Sequence, residues 1–168
     1  FLKDKISKED VLLDFGCGSG NNTHRLAKIC KSVTGVDHDS DKIRFANENF
    51  AAENVKFVCN DAVEFLKSSK QKYDVLVCAN NLEHLDDPEG LIQDLKKYFS
   101  YAYIEVPDLD ASYLNQAKTL LEIQLNYMDD DHVSEFVRED MYQLFAKQGL
   151  KIIESEYRFG AMKYWVEV

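Results

Sequence analysis

Apolar residues along this chain come in short runs. Val11–Leu13, Ser32–Val36, Val55–Cys59, Tyr73–Cys78 and Tyr101–Val106 are each three to six residues long. That is the length of a parallel strand covered on both faces. Between them the apolar positions switch to a helical period. Leu26, Ala27, Ile29 and Cys30 form one stripe, and Ile43, Ala46 and Phe50 a second. Ala62–Leu66 reads as a short helix, and Leu91, Ile92, Leu95, Tyr98 and Phe99 mark the inner face of a helix opened by Pro88. Strands alternating with helices predict βαβ units and a parallel sheet. A further helix is predicted over Asp110–Met128, with Tyr113, Leu114, Ala117, Leu120, Leu121, Leu125 and Met128 on one face. Arg138–Gln148 then reads as a helix with Met141, Leu144 and Phe145 inward and Gly149 as its stop. Strands Leu150–Tyr157 and Ala161–Val168, joined through Gly160, close the chain. No internal repeat or low-complexity stretch interrupts the pattern.

The first strand ends in Asp14-Phe15-Gly16-Cys17-Gly18-Ser19-Gly20, and a helix follows. A strand that stops at a glycine-rich turn and feeds a helix is a nucleotide-cradling unit. The spacing narrows the ligand. A dinucleotide fingerprint needs glycine at position 21, which is Asn21. Asp14 so close to the turn disfavours a pyrophosphate and suits a ligand bearing an ammonium group. Asp37 stands 23 residues after Asp14, at the tip of the second strand, where an acid accepts hydrogen bonds from ribose hydroxyls. The alternative is a turn aspartate before the next helix, although Asp39 or Ser40 can cap that helix just as well. His38 either lies against a bound base or faces solvent.

An acid followed by G-x-G-x-G after the first strand resembles the first motif of the class I S-adenosylmethionine-dependent methyltransferases. The loop after strand four, Leu82-Glu83-His84-Leu85-Asp86-Asp87-Pro88, resembles the same family's small-molecule and glycan enzymes. The resemblance runs from Val11 onward, on four motifs in order at successive strand ends. It implies a doubly wound, mostly parallel, seven-stranded α/β sheet (Rossmann-like) with the last strand antiparallel. It implies S-adenosylmethionine as cofactor, S-adenosylhomocysteine as product, and a hydroxyl of a small molecule or sugar as acceptor. The cofactor-binding residues it implies are Asp14, Gly16, Cys17, Gly18, Gly20, Asp37, His38, Asp61, Ala62 and Asn80. Asp14 and the glycine turn would hold the methionine end, Asp37 the ribose, and Asp61 the adenine amine unless it serves as a helix cap. His84 is a candidate base because imidazole accepts a proton near neutral pH. It can also be a loop anchor. His132, opening His132-Val133-Ser134-Glu135-Phe136, is the second candidate by family resemblance. The region 109–132 is expected to be a helical insertion, either a lid or a helix packed on the sheet edge. A non-catalytic module that keeps the fold is the alternative function.

Composition excludes other classes. The formal charge is −10 and Lys and Arg are scattered, which disfavours a nucleic-acid partner. Asn80-Asn81 also departs from the Asn-Pro-Pro-aromatic motif of amino-directed nucleic-acid methyltransferases. Cys17, Cys30, Cys59 and Cys78 form no C-x-x-C pair and sit in or beside apolar segments, so they read as free buried thiols in the reducing cytoplasm. No apolar run reaches membrane-spanning length. Asp129-Asp130-Asp131 reads as a solvated turn, and no metal is expected. Residues 1–168 are read as one domain. The chain starts at Phe1, so it is expected to be part of something longer, with the helices that usually precede the first strand missing. The acceptor and the oligomeric state are open.

Overall fold

The computed structural model describes residues 1–69, 71–121, 123 and 131–168. Seven strands form one sheet: β1 (Val11–Phe15), β2 (Ser32–Asp37), β3 (Val55–Cys59), β4 (Val75–Ala79), β5 (Tyr101–Pro107), β6 (Lys151–Arg158) and β7 (Ala161–Glu167). Their order is β3-β2-β1-β4-β5-β7-β6. The first five are parallel, and β7 inserts antiparallel between β5 and β6. The strand order reverses between β1 and β4, the place where open α/β sheets leave a crevice beyond the carboxyl ends of their strands.

Among the described residues there are six α-helices: α1 (Asn21–Leu26), α2 (Ser40–Phe50), α3 (Ala62–Ser68), α4 (Pro88–Leu95), α5 (Tyr113–Leu120) and α6 (Arg138–Gln148). On one face Leu13, Leu66, Leu76, Ile104, Met141 and Phe145 pack into the larger core. On the other, Leu12, Leu26, Val33, Val75, Val77 and Trp165 make a second core. Consecutive residues Leu12 and Leu13 are both fully buried on opposite faces. That is why β1 reads as an unbroken apolar run. Truncating either to alanine is expected to cost about 2–5 kcal/mol.

The differences from the sequence pattern have local causes. α1 stops at Leu26, and Ala27–Cys30 continue as turns although Ala27 and Cys30 remain buried. α4 gives way to a 3-10 turn at Lys96–Tyr98. Cys17, Cys30 and Cys78 are buried, but Cys59 at the end of the edge strand β3 is exposed. Within the predicted helix over Asp110–Met128, the described residues include a 3-10 turn at Leu109–Ala111 and the eight residues of α5. Tyr113, Leu114 and Leu120 on α5 are exposed, so their apolar face does not pack on the sheet edge. Leu125 and Met128 lie outside the described residues. α6 matches its predicted span, and Gly149 ends it at φ +71°, a conformation glycine adopts at little cost.

Candidate functional site

The glycine turn takes its shape from two aspartates and one asparagine. Gly16, Gly18 and Gly20 all have positive φ, at 63°, 52° and 84°. Each does a different job. A Cβ at Gly16 would lie 1.8 Å from Asn81 Oδ1. Asn81 sits there because its Nδ2 donates to the carbonyls of Phe15 (2.9 Å) and Ala79 (2.8 Å), tying the ends of β1 and β4 together. A Cβ at Gly18 would meet nothing within 4 Å, so this glycine keeps its open face for an approaching group. A Cβ at Gly20 would lie 2.7 Å from the Phe57 ring and 2.8 Å from Ala46. Gly20 is therefore a close-packing position between α1, α2 and β3, and it does not line the cleft.

Asp37 holds the turn from the tip of β2. Its Oδ2 accepts from the Gly18 amide at 2.8 Å, and Oδ1 from the Asp39 amide at 2.9 Å. Each oxygen keeps a second lone pair. Asp14 lies beneath the turn, 4% exposed, and accepts from the Thr23 hydroxyl at 2.6 Å. Burial pushes its carboxyl up to about 6, with Asp37 adding to the rise and Thr23 opposing it. The Cys17 thiol packs against Gly35 of β2, and burial beside Asp14 and Asp37 pushes it up, so it stays protonated.

A cleft of about 560 Å³ opens at the carboxyl ends of the strands. Of the sequence candidates it is lined by Gly16, Gly18, Asp37, His38, Asp61, Ala62, Asn80 and His84. Asp14, Cys17, Gly20 and His132 stand behind its wall. Asn80 leaves β4 with φ +52°, a rare conformation for a residue other than glycine. Asp61 caps α3 through Oδ1, which accepts from the Glu64 amide at 2.9 Å. Its Oδ2 accepts no hydrogen bond from the described residues and remains available to the cleft. The His38 ring is 90% exposed, at the rim. Lys42 also borders the cleft and was not singled out from the sequence.

The other side of the cleft joins two distant segments. Leu82–His84 form a 3-10 turn after β4. The Glu83 carbonyl accepts from the amides of Val133 (2.8 Å) and Ser134 (3.0 Å), which staples the 131–137 segment to that turn. The rings of His84 and His132 meet edge to face, 5.0 Å between centroids. His84 Nδ1 donates to the Asp131 carbonyl at 3.1 Å. His132 Nδ1 donates to Glu135 Oε1 at 2.8 Å. Both His132 and Glu135 are nearly inaccessible, at 6% and 2% of their side chains. Glu83 is 1% exposed, and burial pushes its carboxyl up despite the two imidazoles nearby. One donor atom each from Glu83, His84 and His132 lie within 4.8 Å of one another, the set among the described residues able to hold a metal ion. The Asp131 side of the predicted acidic turn borders the cleft; Asp129 and Asp130 lie outside the described residues.

Sequence reasoning missed Asn81, Glu83, Glu135 and Thr23. Asn81 and Glu83 sat inside motifs already noticed, but their importance depends on partners far along the chain.

Residues 1–155 match the model of a family described as a methyltransferase domain. The chain belongs to that methyltransferase-domain family. A Coxiella burnetii protein named ubiquinone biosynthesis O-methyltransferase is 35% identical over 97 residues, which are 56% of this chain and 41% of that relative. A Hydrogenovibrio crunogenus protein of the same name is 31% identical over 100 residues, 58% of this chain and 42% of the relative. The chain thus spans about two fifths of the length of the curated relatives it matches. Among solved structures, magnesium protoporphyrin IX methyltransferase from Synechocystis with bound S-adenosylhomocysteine superposes with a TM-score of 0.69 at 19% identity. That match covers 95% of this chain and 74% of the other. Similarity at this identity establishes the fold: the methyltransferase domain has the Rossmann-like architecture of such structures. No helix among the described residues is long and apolar enough to cross a membrane.

Proposed function

We propose that this methyltransferase domain binds S-adenosylmethionine in the strand-end cleft and transfers its methyl group to a hydroxyl of a small molecule, with a sugar hydroxyl as one form of that acceptor. The observation that carries the reading is Asp37. Its carboxylate already organises the glycine turn and Asp39, and it faces the cleft with a lone pair to spare on each oxygen. That is the acceptor pattern for the two hydroxyls of a ribose. The open face of Gly18 lets a ligand approach the backbone closely. Asp14, buried and anionic above about pH 6, supplies negative charge beneath the turn for the cofactor's ammonium group. Asp61 Oδ2 would accept from the adenine amine, with Ala62 beside it. Asn80, held at positive φ, would meet the methionine portion.

Methyl transfer is an in-line displacement at the carbon of a sulfonium, so the protein mainly aligns nucleophile and methyl donor. A hydroxyl acceptor must also lose a proton. His84 lines the cleft and His132 stands directly behind it, so either ring can receive that proton, the second through the first. Segment 109–132 would cover the acceptor, with the exposed apolar side chains of α5 as its inner surface. The acceptor chemistry of the curated relatives, O-methylation in ubiquinone biosynthesis, supports a small-molecule hydroxyl.

The test is a calorimetric titration of Asp37→Ala with S-adenosylhomocysteine. Affinity should fall by about 1–3 kcal/mol, since the substitution strips partners from two hydroxyls and from the turn. Unchanged affinity would sink the ribose assignment. The second reading, a binding module without turnover, is favoured by the absence of His132 from the cleft wall. Replacing both histidines separates the two: an enzyme using either ring loses turnover and keeps cofactor binding.

A further inference from the structure

A second cavity, of about 520 Å³, opens at the amino ends of β4 and β5, at the opposite end of the sheet from the cleft. Part of its wall is aromatic. The rings of Tyr101 and Trp165 stack with 5.4 Å between centroids and 12° between planes. Tyr101 is 38% exposed, so its ring is open to a ligand. Trp165 is only 6% exposed, yet its indole N–H has no hydrogen-bond partner among the described residues and keeps contact with solvent. A buried indole N–H normally finds an acceptor. Here Trp165 lines the cavity, so the acceptor is left for a ligand to bring. Three carboxylates share the wall. Asp10 Oδ2 accepts from the Ser7 amide at 2.7 Å, Asp74 Oδ2 from the Val11 amide at 2.8 Å, and Glu167 Oε2 from Lys151 at 3.2 Å. A carboxylate offers about four acceptor positions, so each keeps most of its capacity. Backbone bonds fix the rim. The Asp74 carbonyl accepts from the amides of Ser100 (3.2 Å) and Tyr101 (3.1 Å), and the Ser100 carbonyl from Val168 (3.0 Å).

These groups select a ligand by elimination. Three carboxylates repel an anion, and Lys5, which also lines the cavity, is already paired with Glu154 at 2.6 Å. A simple alkylammonium ion suits the carboxylates and the ring face, but it brings no acceptor for the indole N–H. The matching ligand donates several hydrogen bonds, accepts at least one, and has an apolar face for Tyr101. A pyranose has all three properties. Each hydroxyl both donates and accepts, and the C–H groups on one side of the ring form an apolar face. We propose that this cavity is a binding site for a pyranose sugar, separate from the strand-end cleft. The sugar's C–H face lies against Tyr101, its hydroxyls donate to Asp10, Asp74 and Glu167, and one of its oxygens accepts from Trp165 Nε1. The site is one of recognition, and it does not depend on the methyltransferase reading.

Trp165 is the chain's single tryptophan, so its emission reports on this cavity directly. The test titrates the whole chain with the methyl glycosides of glucose, galactose and mannose and with maltose. Glycerol controls for bulk solvent effects, and tetramethylammonium for a cation site. At least one sugar should change the emission saturably, and neither control should. Glu167→Ala removes one acceptor and an exposed ion pair with Lys151, so the fold is expected to survive. The half-saturating sugar concentration should then rise about tenfold. Tyr101→Ala removes the platform and should abolish the response, with near-UV circular dichroism as the check on its fold; Glu167→Ala decides the matter if that variant does not fold. No saturable change with any of the sugars, or one that Glu167→Ala keeps at full affinity, overturns the site. A response to tetramethylammonium and to no sugar overturns the saccharide assignment.

Discussion

The side of the cleft built from the glycine turn and the tip of β2 is local; the side built around Glu83 is not. Gly18 and Asp37 are joined across 19 positions of one βαβ unit. His84 and the Asp131 carbonyl are joined across 47, with Asp131 lying beyond the last parallel strand, β5. The first side needs only a strand, a turn and the next strand in register, and the pairing of Asp14 with Gly35 and of Phe15 with Val36 supplies that. The second needs a loop to return to a 3-10 turn and place an imidazole beside another. A local side is rigid once its unit has folded. A long-range side can be altered by substitutions at either end, which suits the part of a site that chooses an acceptor.

The largest expected effect that would break this comparison is at Gly16. Gly16→Ala places a methyl group 1.8 Å from Asn81 Oδ1 in a backbone with φ +63°. We expect a loss of stability on the order of 3 kcal/mol in urea denaturation and loss of cofactor affinity. Tolerance of alanine there would mean the turn is not fixed by the β1–β4 clamp.

Asp14 gives the next effect, with a sign that depends on pH. Its carboxyl is raised to about 6 in the folded chain from an ordinary value of 3.8. The folded state therefore binds this proton more tightly than the unfolded one. The stability penalty of the charged carboxylate is full above about pH 6 and fades as pH falls toward 3.8. Asp14→Asn keeps an acceptor for Thr23, so it should stabilise the free protein by about 1–3 kcal/mol at pH 7 and by little at pH 4. The same variant should bind S-adenosylhomocysteine more weakly. Denaturant midpoints at the two pH values check the first part, and calorimetry the second.

These two residues also mark how far the sequence could be read. Val11 to Gly20 announced a strand, a turn and a ligand class because glycine spacing and an apolar run are local signals. α6 and its Gly149 stop were legible for the same reason. Asp61 was legible as a residue with two possible tasks, and the structure assigns one oxygen to the α3 cap. Gly20 was legible as part of the glycine turn, but spacing does not reveal that the Phe57 ring and Ala46 lie where its Cβ would point. Glu83 and Glu135 were invisible in their roles, since each acts on a ring or segment about fifty positions away or in a loop without periodicity. The apolar stripe of α5 suited either a lid or a helix packed on the sheet edge, and Tyr113, Leu114 and Leu120 are exposed.

A smaller effect comes from Gly20→Ala, which should cost about 1–3 kcal/mol of stability by overpacking against Phe57 and Ala46. Cofactor affinity measured well below the new melting temperature should change little, because the side chain would not enter the cleft. The smallest is Lys147→Ala, which breaks an exposed pair with Glu89 and should move stability by no more than about 0.5 kcal/mol. A large loss there would show that α4 and α6 depend on each other far more than their core contacts suggest.

The most direct measurement is calorimetric titration of the unaltered chain with S-adenosylhomocysteine, using NAD as the control. Micromolar binding of the first and none of the second is the predicted result, because Asp14 beside the turn and Asn21 in place of a third-position glycine disfavour a pyrophosphate. Binding of NAD, or of neither ligand, would contradict the assignment of the cleft to S-adenosylmethionine.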